Sequence, residues 1–233
     1  MRTLGLLGGM SWESTGVYYR LLNEGVKAHF GDGLRSAPLL LWSADFGPIA
    51  ARQAAGDWAG LGEELGKAGR RLAAAGAGAL LICTNTMHRL YAEVERAAGV
   101  PVLHIADPTG AALRAADLRR PALLGTRFTM EGAFYRDRLR ERFGIEALVP
   151  DEVGRAAVHR VIYEELCRGI VRDESRRDYL AVIDVLRAGG ADSVILGCTE
   201  IGMLIGSGDT NLPLFDTTAL HAEAGVAWMV DKE

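Results

Sequence analysis

Two short stretches of the chain end an apolar run in groups able to hold or move protons. One is Leu80-Leu81-Ile82 followed by Cys83-Thr84-Asn85-Thr86-Met87-His88; the other is Val194-Ile195-Leu196-Gly197 followed by Cys198-Thr199-Glu200. A thiol, with a reference pKa of about 8.5, becomes a thiolate where donors or helix N-termini surround it. A threonine hydroxyl is a much poorer base. The third cysteine, Cys167, sits in an amphipathic helical pattern and reads as a core thiol. The five histidines (His29, His88, His104, His159, His221) show no H-x-x-x-H or paired-cysteine spacing, so no metal site is expected.

The elements that must position these groups alternate. Apolar runs at 3–7, 38–42, 79–83, 102–105, 121–124, 147–149, 193–196 and 214–215 read as strands. Amphipathic patterns at 15–29, 58–75, 89–98, 130–143, 152–167 and 176–188 read as helices, with shorter ones at 109–117 and 218–230. Strands alternating with helices of this length give βαβ units and parallel sheets, an α/β fold. Glycines 31, 76, 99, 144 and 190 fall at helix ends, where a left-handed cap favours them. Asp107 and Asp216 each precede a helical run and are expected to cap it.

The two halves repeat. Leu6-Leu7-Gly8 and Tyr18 recur as Leu123-Leu124-Gly125 and Tyr135, offset by 117; Leu72, Gly76 and Ala77 recur as Leu186, Gly190 and Ala191, offset by 114; Asp107 recurs as Asp216, offset by 109. We read two similar, pseudo-symmetric parallel-sheet α/β domains, 1–114 and 115–233, with the C-terminal segment free to cross over. Ligands of such sheets bind outside the carboxyl ends of the strands. The expected active site is therefore a cleft between the domains, suited to chemistry that treats the two faces of one carbon alike. Keeping the offset of 114 sets Thr84, not Cys83, opposite Cys198. Because side chains alternate faces along a strand, Cys83 and Thr84 point in different directions, and only one lines the cleft.

Over its whole length the chain resembles the cofactor-independent aspartate/glutamate racemase family. The resemblance rests on Gly5-Leu6-Leu7-Gly8-Gly9-Met10-Ser11-Trp12-Glu13-Ser14-Thr15, Cys83 through His88, Leu123-Leu124-Gly125-Thr126 and Gly197-Cys198-Thr199-Glu200. The family carries a cysteine in each half. Here the second is intact at Cys198, while position 84 holds threonine and Cys83 stands one residue early. That combination is similar to a branch with a threonine/cysteine pair, which includes L-aspartate/glutamate-specific and broader-specificity amino-acid racemases. The resemblance implies α-proton removal on one face and return on the other, without pyridoxal phosphate or any other cofactor. It makes Cys198 and Thr84 the catalytic pair, with the L isomer, whose α-proton faces Cys198, turning over faster. It also puts Met10, Ser11, Gln53 and Thr126 near the substrate. Asn85, Thr86 and Thr199 are assigned to the α-carboxylate, Glu200 to the α-ammonium or a helix cap, and Arg168 to a side-chain carboxylate or to solvent. A homodimer follows from the resemblance alone.

Composition closes off other classes. The 233 residues are 49% hydrophobic and 24% charged with a net charge of −4, so the chain can build a sizeable core. Acidic and basic residues are interspersed, which excludes a nucleic-acid or polybasic membrane surface. No apolar stretch approaches the ~18 residues of a membrane span, and 4–10 is a poor signal-peptide core. Three cysteines argue against a disulfide framework, so a cytoplasmic protein with a small amino-acid substrate is expected. Gly5 to Gly9 lacks the G-x-G-x-x-G spacing of a dinucleotide loop. The rival expectations are a racemase preferring neutral amino acids such as homoserine, one-cysteine decarboxylation of a malonate-like acid, and an inactive small-molecule-binding relative.

Overall fold

The computed structural model describes residues 1–31 and 33–231. The chain divides into two compact units, one of Met1–His104 with His221–Glu233, the other of Ile105–Leu220. The first unit thus ends ten residues before the expected 114/115 boundary, and the C-terminal segment returns to it. The last two residues of the expected second half lie outside the described residues.

In the first unit, β1 (Leu4–Gly8) leads into α1 (Trp12–Phe30), β2 (Leu39–Ser43), α2 (Phe46–Ala55), α3 (Trp58–Ala74) and β3 (Ala79–Ile82). A 3-10 turn (Thr86–Leu90), α4 (Tyr91–Ala98) and β4 (Val102–Leu103) follow. The strands form one parallel sheet in the order β2-β1-β3-β4. Successive β3 residues divide between two cores. Leu80 and Ile82 pack with Leu7, Leu61 and Val94; Ala79, Leu81 and Cys83 pack with Leu4, Leu6 and Tyr18. This alternation is the pleat of a strand buried on both faces.

The second unit contains α5 (Ala106–Ala115), β5 (Pro121–Gly125), α6 (Arg127–Glu131), α7 (Ala133–Phe143), α8 (Glu152–Glu164), a 3-10 turn (Leu166–Arg168), α9 (Asp173–Ala188), β6 (Ser193–Gly197), α10 (Ile201–Leu204) and β7 (Leu214–Asp216). Its sheet is parallel in the order β5-β6-β7. The expected strand at 147–149 is reduced to one parallel bridge, Leu148 on Ala122. The helix expected over 130–143 is broken at Gly132, whose backbone is extended. The final helix, α11 (Thr217–Val230), starts in this unit, and from His221 onward its residues belong to the first. Ala222 and Met229 fill the core around Leu4 and Tyr18.

The strand registers reproduce the first two sequence offsets. Leu7 pairs with Ile82 in one sheet and Leu124 with Leu196 in the other, which are the offsets of 117 and 114. The third offset is corrected. Leu81 pairs with Leu103 and Ile195 with Phe215, so β4 and β7 correspond at 112 rather than 109. Asp107 and Asp216 are therefore not equivalent. Asp216 caps α11, its Oδ1 accepting from the Thr218 and Ala219 N–H groups at 2.8 and 3.2 Å. Asp107 lies within α5 and instead takes a bidentate contact from Arg138 at 2.6 and 2.7 Å, joined by Arg142.

Glycine is required where backbones crowd. Gly9 leaves β1 at φ 83°, and a Cβ there would meet the Ala44 backbone at 2.3 Å. At the ends of β5 and β6, a Cβ on Gly125 would meet the Gly197 carbonyl at 2.9 Å, and one on Gly197 the Leu124 carbonyl at 2.7 Å. The five helix-end glycines expected to be left-handed all have φ between 63° and 106°.

Candidate active site

In the first unit, the loop after β1 is tied to the end of β3. Ser11 caps α1, its hydroxyl accepting from the Ser14 N–H at 3.2 Å. Thr15 Oγ1 accepts from the Gly9 N–H at 2.8 Å and donates to the Ser11 carbonyl at 2.9 Å. Ser14 Oγ donates to the Cys83 carbonyl at 2.9 Å. Met10 and Ile49 share a core cluster with Met87, and the Gln53 amide donates to the Met87 sulfur at 2.9 Å. Met10, Gln53 and the turn after Thr84 are thereby gathered at one end of the sheet. Asn85 and Thr86 are buried beside them, while Thr84 is half-buried. Cys83 is completely buried, and burial pushes its thiol far above the ordinary range.

Behind Thr84 lies a histidine cluster that no sequence spacing announces. His88 Nδ1 donates to the Thr84 carbonyl at 2.8 Å. Its ring lies 4.8 Å from His104 and 5.4 Å from His221, centroid to centroid. All three rings are buried. His221 Nε2 lies 2.7 Å from the Leu103 carbonyl and Nδ1 2.8 Å from the Tyr18 hydroxyl. A carbonyl only accepts, so Nε2 carries the proton and Nδ1 accepts from Tyr18. Burial, reinforced by His88, pushes the His221 pKa down to about 3, against a smaller opposing effect of the Leu103 carbonyl.

That depression has a consequence for stability. The unfolded chain protonates His221 near pH 6.5 and the folded chain does not until about pH 3, so stability present above pH 6.5 is lost as pH falls through that window. The expected contribution is a slope of up to about 1.4 kcal/mol per pH unit. Urea unfolding between pH 7.5 and 4.5 measures it, and His221→Gln should flatten the slope; equal slopes in both proteins would refute the assignment.

In the second unit, Thr126 caps α6, accepting from the Thr129 N–H at 3.3 Å. Cys198 follows β6 and is half-buried. Its Sγ donates to Glu200 Oε2 at 2.9 Å, and Glu200 itself is buried. Thr199 Oγ1 accepts from the Thr218 hydroxyl at 3.2 Å. Burial first, then the charge of Glu200 and the proximity of Cys167, push the Cys198 thiol well above its ordinary range. The surroundings therefore favour the thiol, where the sequence suggested donors that would favour a thiolate. A buried carboxylate next to sulfur repels a second negative charge.

Cys167 lies in the 3-10 turn rather than in a long helix, packed with Cys198 against one apolar cluster. The turn also packs on α10, and Arg168 at its end is exposed. Sequence reasoning missed Tyr163 and His159. Burial, then the nearby Cys198, Cys167 and Glu200, raise the tyrosine pKa; the histidine ring lies tilted against it at 54°, centroids 4.7 Å apart, and accepts from the Arg127 N–H at 3.2 Å. Their i, i+4 spacing on α8 is a signal that could have revealed them. Among the described residues, no group of three or more His, Cys, Asp or Glu is arranged to hold a metal, and no helix is long and apolar enough to cross a membrane.

Each of the two units is a parallel α/β sheet, with Thr84 following β3 in one and Cys198 following β6 in the other. The chain belongs to the Asp/Glu/hydantoin racemase family, a family of isomerases, whose profile matches residues 7–225. It is 48% identical to a Yersinia pestis protein whose crystal structure was solved as a candidate Asp/Glu racemase, with a TM-score of 0.92 over 99% of this chain and 100% of that one. An aspartate racemase homologue from Pyrococcus horikoshii OT3 is 28% identical, with a TM-score of 0.83 over 99% and 100% of the two chains. The broad-specificity amino-acid racemase RacX of Bacillus subtilis (strain 168) is 22% identical over 154 residues. That match spans 61% of this chain and 61% of RacX, less than two thirds of the relative's length.

Proposed function

We propose that the protein is an amino-acid racemase, working without pyridoxal phosphate, that interconverts L- and D-aspartate or glutamate. Cys198 serves one face of the α-carbon and Thr84 the other. The observation that carries this reading is the shared register: Leu7–Ile82 and Leu124–Leu196 pair alike, which makes Thr84 and Cys198 equivalent, two residues beyond those partners. Complete burial of Cys83 among Leu4, Leu6 and Leu81 supports the choice of Thr84. From the L isomer, Cys198 as thiolate removes the α-proton, and the carbanion is protonated on the other face by Thr84, directly or through water.

Met10, Ser11, Gln53, Asn85, Thr86, Thr126 and Thr199 complete the substrate-binding set. The negative charge of the Cys198–Glu200 pair attracts the α-ammonium, and the α-carboxylate is held by Asn85, Thr86, Thr199 and backbone N–H groups. We further propose that the protein works as a cytoplasmic homodimer.

Substrate choice turns on Arg168, whose guanidinium suits a side-chain carboxylate. Arg168→Leu should lower kcat/KM for aspartate and glutamate by roughly 10- to 100-fold relative to homoserine, as loss of a charge-assisted hydrogen bond implies. The assay is α-deuterium uptake and chiral analysis of both enantiomers in heavy water. Equal loss on acidic and neutral substrates would overturn the role. The similarity to RacX favours a second reading, a broad-specificity racemase preferring neutral amino acids such as homoserine; the same panel of unmodified enzyme decides between them.

A further inference from the structure

The sulfur of Cys198 and the Oε2 of Glu200 lie 2.9 Å apart, one half-buried and the other buried at the end of β6. We propose that Cys198 and Glu200 work as a pair holding one proton, with Glu200 the group that takes the thiol proton to form the thiolate and returns it to restore the thiol. This inference rests on the racemase reading and gives Glu200 a task beyond attracting the ammonium.

The steps balance. In the L-to-D direction, the S–H bond breaks, the electron pair stays on sulfur, and an O–H bond forms on Glu200. The thiolate then takes the α-proton: the Cα–H bond breaks, an S–H bond forms, and the electron pair remains on the carbon. A proton from the Thr84 side closes the new Cα–H bond on the opposite face. Glu200 releases its proton to water, and the Thr84 side regains one from water. In the reverse direction, Cys198 donates as the thiol seen in the structure and Glu200 reprotonates the thiolate. One total charge of −1 is kept on the pair until the carbanion forms, which avoids two adjacent anions in a buried place. Burial and the Glu200 charge keep the resting proton on sulfur, so the thiolate is formed only transiently, in the presence of substrate.

Glu200→Gln keeps the size of the side chain and removes the proton acceptor. It should lower kcat by roughly 100-fold or more, within the usual range of acid–base catalysis. Its rate should climb about tenfold per pH unit as solvent takes over deprotonation of the thiol, whereas the unmodified enzyme stays flat across neutral pH. Glu200→Asp should recover part of kcat and the flat profile. A Gln variant with unchanged kcat and pH profile, or with a raised KM alone, would overturn the proposal in favour of an ammonium contact.

A measurement on unmodified protein keeps the test open if the variants do not fold. Alkylation of Cys198 by iodoacetamide, read by peptide mass mapping, should stay slow at pH 7, where racemisation is full. Racemisation that instead rises in step with alkylation would overturn the pair. Absence of α-deuterium uptake from any amino acid counts against the racemase reading; an ordinary thiol alkylation profile counts against the pair.

Discussion

Cys198→Ser is expected to abolish racemisation, with kcat reduced by at least about 10³-fold, the middle of the range for a positioned acid–base group. A serine hydroxyl ionises far above any thiol, so the proposed proton transfer to Glu200, 2.9 Å from the sulfur, would be lost. The substitution is small, and the half-buried Cys198 only borders the cluster of Leu124, Val194 and Leu196, so the fold should survive. Chiral assay with α-deuterium uptake, beside a thermal melt, separates chemistry from folding. Because the two enantiomers have equal free energy, kcat/KM must fall by the same factor in both directions. A folded variant retaining more than a tenth of the turnover would refute the assignment.

The second large effect contrasts neighbours. Thr84→Val removes the hydroxyl at nearly constant shape and should cost roughly 100-fold in kcat. Cys83→Ala should leave most of the turnover and cost about 1 kcal/mol of stability, the scale of one lost core group. Thr84→Cys installs a better acid and base and should raise kcat in the D-to-L direction, the slower one under the proposed mechanism. A folded Cys83→Ala protein without activity, alongside an active Thr84→Val, would reverse the register assignment. The prediction depends on the pleat: Cys83 continues the face of Ala79 and Leu81 into the core, and the next residue cannot.

Much of this was legible in the chain. Two parallel α/β units, helix-end glycines and the offsets of 117 and 114 are local patterns, and the strand registers carry the same offsets. The third offset failed because an aspartate before a helical run looks like a cap wherever it stands. Asp216 is one, but Asp107 is drawn inside α5 toward Arg138 and Arg142, both from α7. The run at 147–149 is apolar enough for a strand, yet it contributes only the bridge from Leu148. Helix α2, between the Asp45 cap and Gly56, was not among the helices read from the pattern; its Pro48 lies in the first turn, where a missing N–H costs little.

The sequence by itself determined the α/β class, and it predicted an internal repeat that sets Thr84 against Cys198, because hydrophobic period and spacing are properties of neighbours along the chain. Only the tertiary structure decided the protonation of the groups. His88, His104 and His221 meet although more than a hundred residues separate the last from the others, and burial there forces His221 neutral. Cys198 favours its thiol because folding buries it beside Glu200 and Cys167. A pKa depends on which charges and how much water surround a group in space, and spacing along the chain does not fix either.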